Sequence, residues 1–558
     1  MSPIFIPSRR DVVLGSAAAT ALFMAPTGRA WSETTFVRPD INSAAGQKML
    51  DLYAKAVAAM QNPTINYPPQ PHSWTFQAYM HAVPSNPFDP AVSGGLWGGK
   101  ALKPRIDDIY GHPAAGTPQA AWKKAAQECW ATCQHSSPYF TTWHRWYLYY
   151  FERICRKMCG DPEFALPYWN YASDIGPSLQ LPAQFQQLSQ NPNPLYFDDR
   201  GLGFATPQAT GDQNVSMNAG GYLPYPLVRY GPALSSKDMF PSDPSDNVNT
   251  DPTNPVYLAY GFTGRLECAP HDNVHSYVGG WMQNVPSAAG DPIFFMHHCQ
   301  IDRLYASWEA APGVSYNWGS SATQPDQKTW TTRMATYVDE NGALVEAILG
   351  KAVDIAALGY AYDTLAKPPA EEVAALSPAL AAARPAARVT LAALEARGLV
   401  VKSGGTVVTL SPAARPEGTA PQAALPATGA AGPPQTLVLS GIKLLRRPPA
   451  PLSVFINLPE GTPPRLSSPY YVGTLNLFNF DLGTRAPMNH DAGDMGADHT
   501  PGMSAGGTAR FDVTGILARQ RAEGLWDGGA VTVTISTIGA DVKGGATYLT
   551  IESAALIP

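Results

Sequence analysis

Two histidine-bearing segments constrain this chain more than any other feature. Only 11 histidines occur in 558 residues, and seven of them fall in two compact motifs or on a helix able to reach them. The first motif runs His135-Ser-Ser-Pro-Tyr-Phe140-Thr-Thr-Trp143-His144-Arg145 and on to Glu152. The second combines His271-Asp272-Asn273-Val274-His275 with Asp291-Pro-Ile-Phe294-Phe-Met-His297-His298-Cys-Gln-Ile-Asp302-Arg303. A lone buried histidine is more often a hydrogen-bonded core residue than a ligand, but clustering shifts the weight toward a metal.

The spacings limit which rings can meet. On one continuous helix, nine residues put His135 and His144 on opposite faces. Pro138 resolves this, because it disfavours helix at the residue before it, so His135 can sit on a loop that folds back while His144 projects from the helix that follows. His271 and His275, four apart, face one side of a helix. His297 and His298 differ by about 100° of rotation, so only one of them should reach the same metal. Five histidines with no carboxylate interleaved at ligand spacing favour a borderline or soft metal such as copper or zinc over magnesium or calcium. A three-histidine zinc site with an open position has the same spacing.

Around these motifs the chain reads as helices set in long loops. From Ala44 to Met60 the residues Met49, Leu50, Tyr53, Val57 and Met60 recur at helical steps, as do apolar residues around Trp143 to Met158 and Phe295 to Trp308. The stretch Leu181 to Pro255 is rich in Pro, Gly, Asn and Asp and reads as loop. Ser411–Gln435 is dominated by Ala and Pro and reads as a linker. Beyond it, Thr436–Leu445, Leu452–Leu458, Tyr470–Phe478, Ala530–Ile538 and Thr547–Ile551 read as strands of a β-sandwich. The expected domains are therefore an export signal (1–30), a mainly α domain (31–360) of helices held in long loops, a linker (361–435) and an all-β domain (436–558). In the signal, Ser8-Arg9-Arg10 precedes an apolar stretch and the small-residue site Gly28-Arg29-Ala30, the layout of a twin-arginine leader. It implies periplasmic or secreted export of a protein folded with its metal. No segment is long and apolar enough to span a bilayer. The 38 basic and 44 acidic residues are spread without a basic run, which argues against nucleic acid as a partner.

The histidine motifs resemble, position by position, the copper-A and copper-B signatures of tyrosinases and polyphenol oxidases, over roughly residues 47 to 308. Arg510-Phe511-Asp512-Val513 resembles an element in the C-terminal domain of the plant enzymes. The resemblance implies two copper ions in a type-3 centre and makes residues 31–360 a catalytic domain built as a four-helix bundle around it. It assigns His135 and His144 to copper A, and His271, His275 and His298 to copper B, leaving His297 behind them. The remaining copper-A ligand is expected on an earlier helix, at His81, with His72 as runner-up. The implied activity is oxidation of o-diphenols to o-quinones with O2, with hydroxylation of monophenols as a further step. The C-terminal domain is expected to keep the enzyme latent until a protease cuts between Ser411 and Gln435. A copper chaperone is a further expected partner. The alternatives are a haemocyanin-like oxygen carrier and a dinuclear zinc hydrolase.

The same resemblance marks several other residues. Cys133, two before His135, corresponds to the cysteine that forms a thioether with the copper-A histidine in fungal and molluscan relatives, whereas the plant-type position holds Ser85. An ordinary free thiol is the other reading. Glu267 matches a glutamate that holds a water near copper B. Asp272 stands where several tyrosinases have Asn, and two neighbouring carboxylates should raise the pKa of one of them. Val285 aligns with a small gate residue; otherwise it is a loop valine. Glu152, Asp302, Arg145 and Arg303 could orient the rings, but ion pairs bracing helices are their more ordinary role. Met488, His490, Met495, His499 and Met503 could capture Cu(I), although a solvated Gly-rich loop is the favoured reading.

Overall fold

The computed structural model describes residues 35–87, 94–135, 139–186, 193–207, 213–234, 266–314, 316, 327–367, 394–412, 435–475, 477, 478, 480, 507–539 and 545–557. The leader-like segment, residues 413–434 and the Met/His segment 488–503 lie outside them. Helix α1 (Ala44–Met60) buries Leu50, Tyr53, Val57 and Met60 along one stripe, and the Ser43 hydroxyl caps it by accepting from the Gly46 amide at 3.0 Å. Helix α2 (Trp74–His81) is capped by Ser73. Helix α3 (Phe140–Cys159) stops at Gly160, whose φ of 72° suits a residue without a Cβ.

The short helix α4 (Asn273–Val278) follows an irregular turn at Glu267–Asp272. Helix α5 (Ile293–Ala310) is buried on every side from Ile293 to Trp308, as expected of a central helix. Its start is fixed by Asp291, whose carboxylate accepts from the Ile293 amide and pairs with Arg200 at 2.7 Å. The Tyr53 hydroxyl of α1 donates to the Pro292 carbonyl at 2.8 Å. The rings of Phe151 on α3 and Phe295 on α5 stack 3.5 Å apart. Trp74 of α2 meets these two rings edge-on at 6.3 and 5.6 Å, so helices α2, α3 and α5 converge as the expected bundle requires. Strand β1 (Phe36–Arg38) runs parallel to β4 (Tyr360–Tyr362), and β2 (Met334–Val338) and β3 (Leu344–Ile348) form a hairpin. Among the described residues no helix is long and apolar enough to cross a membrane.

Among the described residues the C-terminal region is β except for one helix, α6 (Thr514–Ala522), which departs from the all-β expectation. Its strands are β5 (Leu394–Lys402), β6 (Thr406–Pro412), β7 (Thr436–Leu444), β8 (Leu452–Ile456), β9 (Tyr471–Leu475), β10 (Gly507–Asp512), β11 (Val531–Thr537) and β12 (Thr547–Ile557). They follow the order β9-β8-β11-β6-β5-β12-β7-β10, antiparallel throughout, in a sheet that nearly closes on itself. Strand β6 makes the corner between two four-stranded halves. Its residues Thr406–Leu410 pair with β11, and Ser411 and Pro412 pair with β5. A strand that changes partners in this way joins two packed faces into one.

Two boundaries differ from the sequence reading. The block 361–435 is not linker throughout, because β5 and β6 lie inside it and belong to the sheet. Strand β10, which holds Arg510, Phe511 and Asp512, pairs with β7 and had no counterpart among the expected strands. The β domain has its own apolar core, yet Phe455, Tyr471, Phe478 and Ile538 join the core of the helical region. The two regions therefore share an apolar boundary.

Candidate metal centre

Each side chain of the histidine cluster is delivered by a different local device. His81 ends α2, His144 sits one turn into α3, His275 lies on α4, and His298 lies on α5. His135 lies before α3 and His271 in the turn before α4. All six are buried. The ring centroids of His81 and His135 lie 5.0 Å apart, those of His135 and His144 5.3 Å, those of His271 and His275 4.6 Å, and those of His144 and His298 4.6 Å. His72 lies outside this group, beside Gly342.

Four of the six rings are oriented from the edge opposite Nε2. His81 Nδ1 lies 3.1 Å from the Val285 carbonyl, His144 Nδ1 2.8 Å from that of Phe140, and His275 Nδ1 2.8 Å from that of Met282. His271 Nδ1 lies 2.8 Å from Asp272 Oδ1. A ring that donates Nδ1–H to an acceptor keeps its Nε2 lone pair for a metal. The Nε2 atoms of His144 and His271 are buried without a hydrogen-bond partner among the described residues. The decisive distance is between His275 Nε2 and His298 Nε2, 3.2 Å. Two nitrogens bound at about 2.0–2.1 Å to one tetrahedral ion sit about 3.3 Å apart, so this pair is already spaced for a shared ion. The cluster fits a dinuclear copper site.

Residues 71–311 match the family model described as the common central domain of tyrosinase. The central region is thus similar to the common central domain of tyrosinases. Over 326 residues the chain is 31% identical to tyrosinase HcTyr1 of Hahella sp. (strain CCB-MM4), an alignment covering 56% of this chain and 60% of that relative. It is 31% identical over 251 residues to the chloroplastic polyphenol oxidase A1 of Vicia faba, covering 42% of this chain and 38% of that one. A solved structure of latent aurone synthase, a polyphenol oxidase, overlays with a TM-score of 0.46 at 20% identity, covering 96% of this chain and 92% of that one. The chain thus spans about 60% or less of these two curated relatives.

Within the tyrosinase-like site, the adjacent histidines separate by what they face. His298 stacks on His144, with ring planes 17° apart, and meets His275, so it stands between the two halves of the cluster. His297 has nitrogens close to those of His271, His275 and His298, and its ring stacks on His271 at 5.4 Å with Tyr171 at 5.7 Å. Glu267 is buried at the start of the turn that carries His271. Burial pushes the Asp272 carboxyl up, and the charge of Glu267 adds to this, as expected for neighbouring carboxylates. Cys133 Sγ lies 3.3 Å from His135 Nδ1, and none of the six cysteines is in a disulfide. Val285 is fully buried and serves the site through its carbonyl.

The four charged residues considered for ring orientation brace helices instead. Arg145 Nε donates to Asp302 Oδ1 at 2.5 Å, Glu152 binds Arg38 Nε at 2.8 Å, and Arg303 Nε donates to the Thr364 carbonyl at 2.7 Å.

Three participants were not visible in the sequence. Arg38 stands upstream of the motifs and belongs to none of them. Phe478 belongs to the β domain, yet its ring stacks on His275 at 4.0 Å and meets His271 edge-on at 5.5 Å. Arg447 binds the backbone on both sides of Phe478. Nothing in an alternating strand pattern marks one aromatic residue as the one that reaches another domain.

Burial also sets the charge of the rings. It drives His144 down to about 3 and holds His271, His275 and His298 well below the ordinary histidine range, with neighbouring histidines adding to the effect at each of these three. All are therefore neutral near pH 7, the form that binds metal. In the unfolded chain these rings titrate near 6.5. Between that value and their folded pKa values the unfolded state holds more protons, so stability rises with pH. Metal-free protein is expected to lose thermal stability steadily as pH falls from about 6.5 toward 4, by up to about 1.4 kcal/mol per ring per pH unit. Calorimetry showing an unchanged melting temperature across that window would contradict the neutral buried cluster.

Proposed function

We propose that the chain is a copper-dependent phenol oxidase that converts o-diphenols to o-quinones with O2 and hydroxylates monophenols ahead of that step. The observation that carries this reading is the convergence of six buried histidines, with His275 and His298 already at the spacing of a shared ion. His81, His135 and His144 would hold one copper, and His271, His275 and His298 the other. The bound pair would supply O2 binding and two-electron oxidation of a phenol. The protein's own part is to fix the rings through Val285, Phe140, Met282 and Asp272, and to keep bulk water from a fully buried site. Asp272 Oδ1 is engaged by His271, so Glu267 is the group we assign to take the phenolic proton. Val285 would act as the gate residue.

Cys133 would form a thioether with His135, which their 3.3 Å approach favours. Peptide mapping of copper-treated protein should find the peptide carrying both residues short of two hydrogens, and an intact thiol there would refute the bond. Paired arginines at Arg9 and Arg10 favour export after folding, to the periplasm or beyond, and a copper chaperone and an activating protease would complete the maturation.

Oxygen uptake by copper-loaded, linker-cleaved protein on tyrosine, tyramine, o-aminophenol and catechol tests the activity. Uptake with catechol supports it. Two bound coppers with reversible O2 binding and no catechol turnover would instead make the chain a haemocyanin-like carrier.

Latency forms part of the same proposal. The Phe478 ring lies flat on His275, the surface a phenol would need. Truncating a buried phenylalanine costs about 3–5 kcal/mol, and each 1.4 kcal/mol removed from the closed state's advantage is tenfold in its population. Full-length Phe478→Ala is expected to oxidise catechol at least about tenfold faster than the uncut parent and to approach the rate of protein cleaved within 413–434. Equal rates for cut and uncut parent would end the latency proposal.

A further inference from the structure

Arg447 stands just past β7, and its guanidinium is buried where the β domain meets the helical region. One terminal nitrogen donates to the Leu477 carbonyl, and the other donates to that of Phe480. These two acceptors bracket Phe478. The second nitrogen also donates to Asn284 Oδ1 at 3.1 Å, across the domain boundary. Asn284 immediately precedes Val285, whose carbonyl holds His81 Nδ1. Ser276, Gln283, Pro448, Leu475 and Leu477 line the small cleft around the guanidinium. One side chain therefore ties the backbone around the blocking ring to the loop that orients a histidine of the metal centre.

We propose that Arg447 is the latch of the closed state: its planar guanidinium holds the backbone at Leu477 and Phe480 so that Phe478 stays on His275, and it fastens that backbone to the catalytic domain through Asn284. The proposal rests on the reading of Phe478 as the block. Arg447 touches no reacting atom and is a positioning residue. The chemistry calls for arginine, because three acceptors in different directions need a rigid fork of donors, which a lysine ammonium on a flexible stem does not offer. Hydrogen bonds from a charged donor are also stronger than neutral ones, so few are needed to hold a short segment.

The test uses the full-length chain. Arg447→Met keeps the aliphatic stem and removes the donors. It should raise catechol oxidation by uncut, copper-loaded protein at least about tenfold. In the metal-free protein, hydrogen exchange of the 471–480 peptide should speed up at least about tenfold while β11 (Val531–Thr537) keeps its protection. Arg447→Lys should fall between Met and the parent in both readouts. If Arg447→Met loses protection throughout the sheet, the lysine variant decides: faster exchange confined to 471–480 supports the latch, and unchanged exchange there overturns it. Phe478→Ala, run in parallel, separates the two levels of the argument. If it is active while both Arg447 variants stay latent, the latch falls and the block stands. If it is latent as well, the block itself falls, and the latch with it.

Discussion

Asp302→Ala is expected to destabilise the metal-free protein by about 3–5 kcal/mol, the range for removing one partner of a buried ion pair. Asp302 Oδ1 accepts from Arg145 Nε at 2.5 Å. Its Oδ2 accepts from Arg38 at 3.0 Å and from the hydroxyls of Tyr360 at 2.7 Å and Tyr362 at 2.5 Å. Arg38 also binds Glu152 on α3, so strands β1 and β4 and helices α3 and α5 meet at one ionic knot. Burial alone would push the Asp302 carboxyl up, but Arg145 and Arg38 outweigh it and hold the group below its ordinary range. Its contribution is therefore complete above the unfolded carboxylate pKa near 4 and is lost as pH falls through the lower folded value. Without the carboxylate, two guanidiniums remain in a site closed to water. Against a typical total stability of about 5–15 kcal/mol, that loss is large. Denaturant unfolding followed by tryptophan fluorescence measures it. Asp302→Asn, which keeps one acceptor oxygen, should lose less, and an alanine variant as stable as the parent would show that the knot contributes nothing.

How much of this was legible in the sequence depended on whether a residue's partner lay nearby in the chain. Helix α1 was fully readable, because Leu50, Tyr53, Val57 and Met60 announce their shared face by spacing alone. The histidine motifs were readable for the same reason, and Pro138 correctly placed His135 off the helix that carries His144. Strands β5 and β6 were not. Leu394-Glu-Ala-Arg-Gly-Leu is composed of helix formers and a glycine, and its strand conformation comes from pairing with β12, some 150 residues on. Strand propensity is weak beside such pairing. Arg38, Arg447 and Phe478 share this limitation. Each acts on a residue more than about 100 positions away, and no local pattern records such a meeting. The β-sheet character of the C-terminal domain was legible, but its helix at Thr514–Ala522 was not, and its corner at β6 depends on where one strand changes neighbours, which alternation cannot encode.

His298→Gln is expected to halve the copper content of the protein and reduce catechol oxidation to background, whereas His297→Gln should retain both coppers. The two residues are adjacent on α5 and equally buried, so burial cannot separate them. Geometry does. His298 Nε2 stands 3.2 Å from His275 Nε2, and its ring stacks on His144, so a metal held there lies toward the other three histidines. His297 stacks on His271 at 5.4 Å and meets His275 edge-on at 4.8 Å, with Tyr171 at 5.7 Å, and the family resemblance assigns it a supporting place rather than a ligand's. A residue supporting a ligand from outside typically changes metal affinity by about 10–100-fold, which saturating copper overcomes, whereas removing a ligand leaves a two-histidine site that saturation does not restore. Elemental analysis after dialysis against excess copper and then against buffer reads the difference directly. Full copper in the His298 variant with half in the His297 variant would exchange their roles. Half in both would mean that the pair acts as one unit at this ion and would end the division of labour drawn from the 100° step between adjacent helical residues.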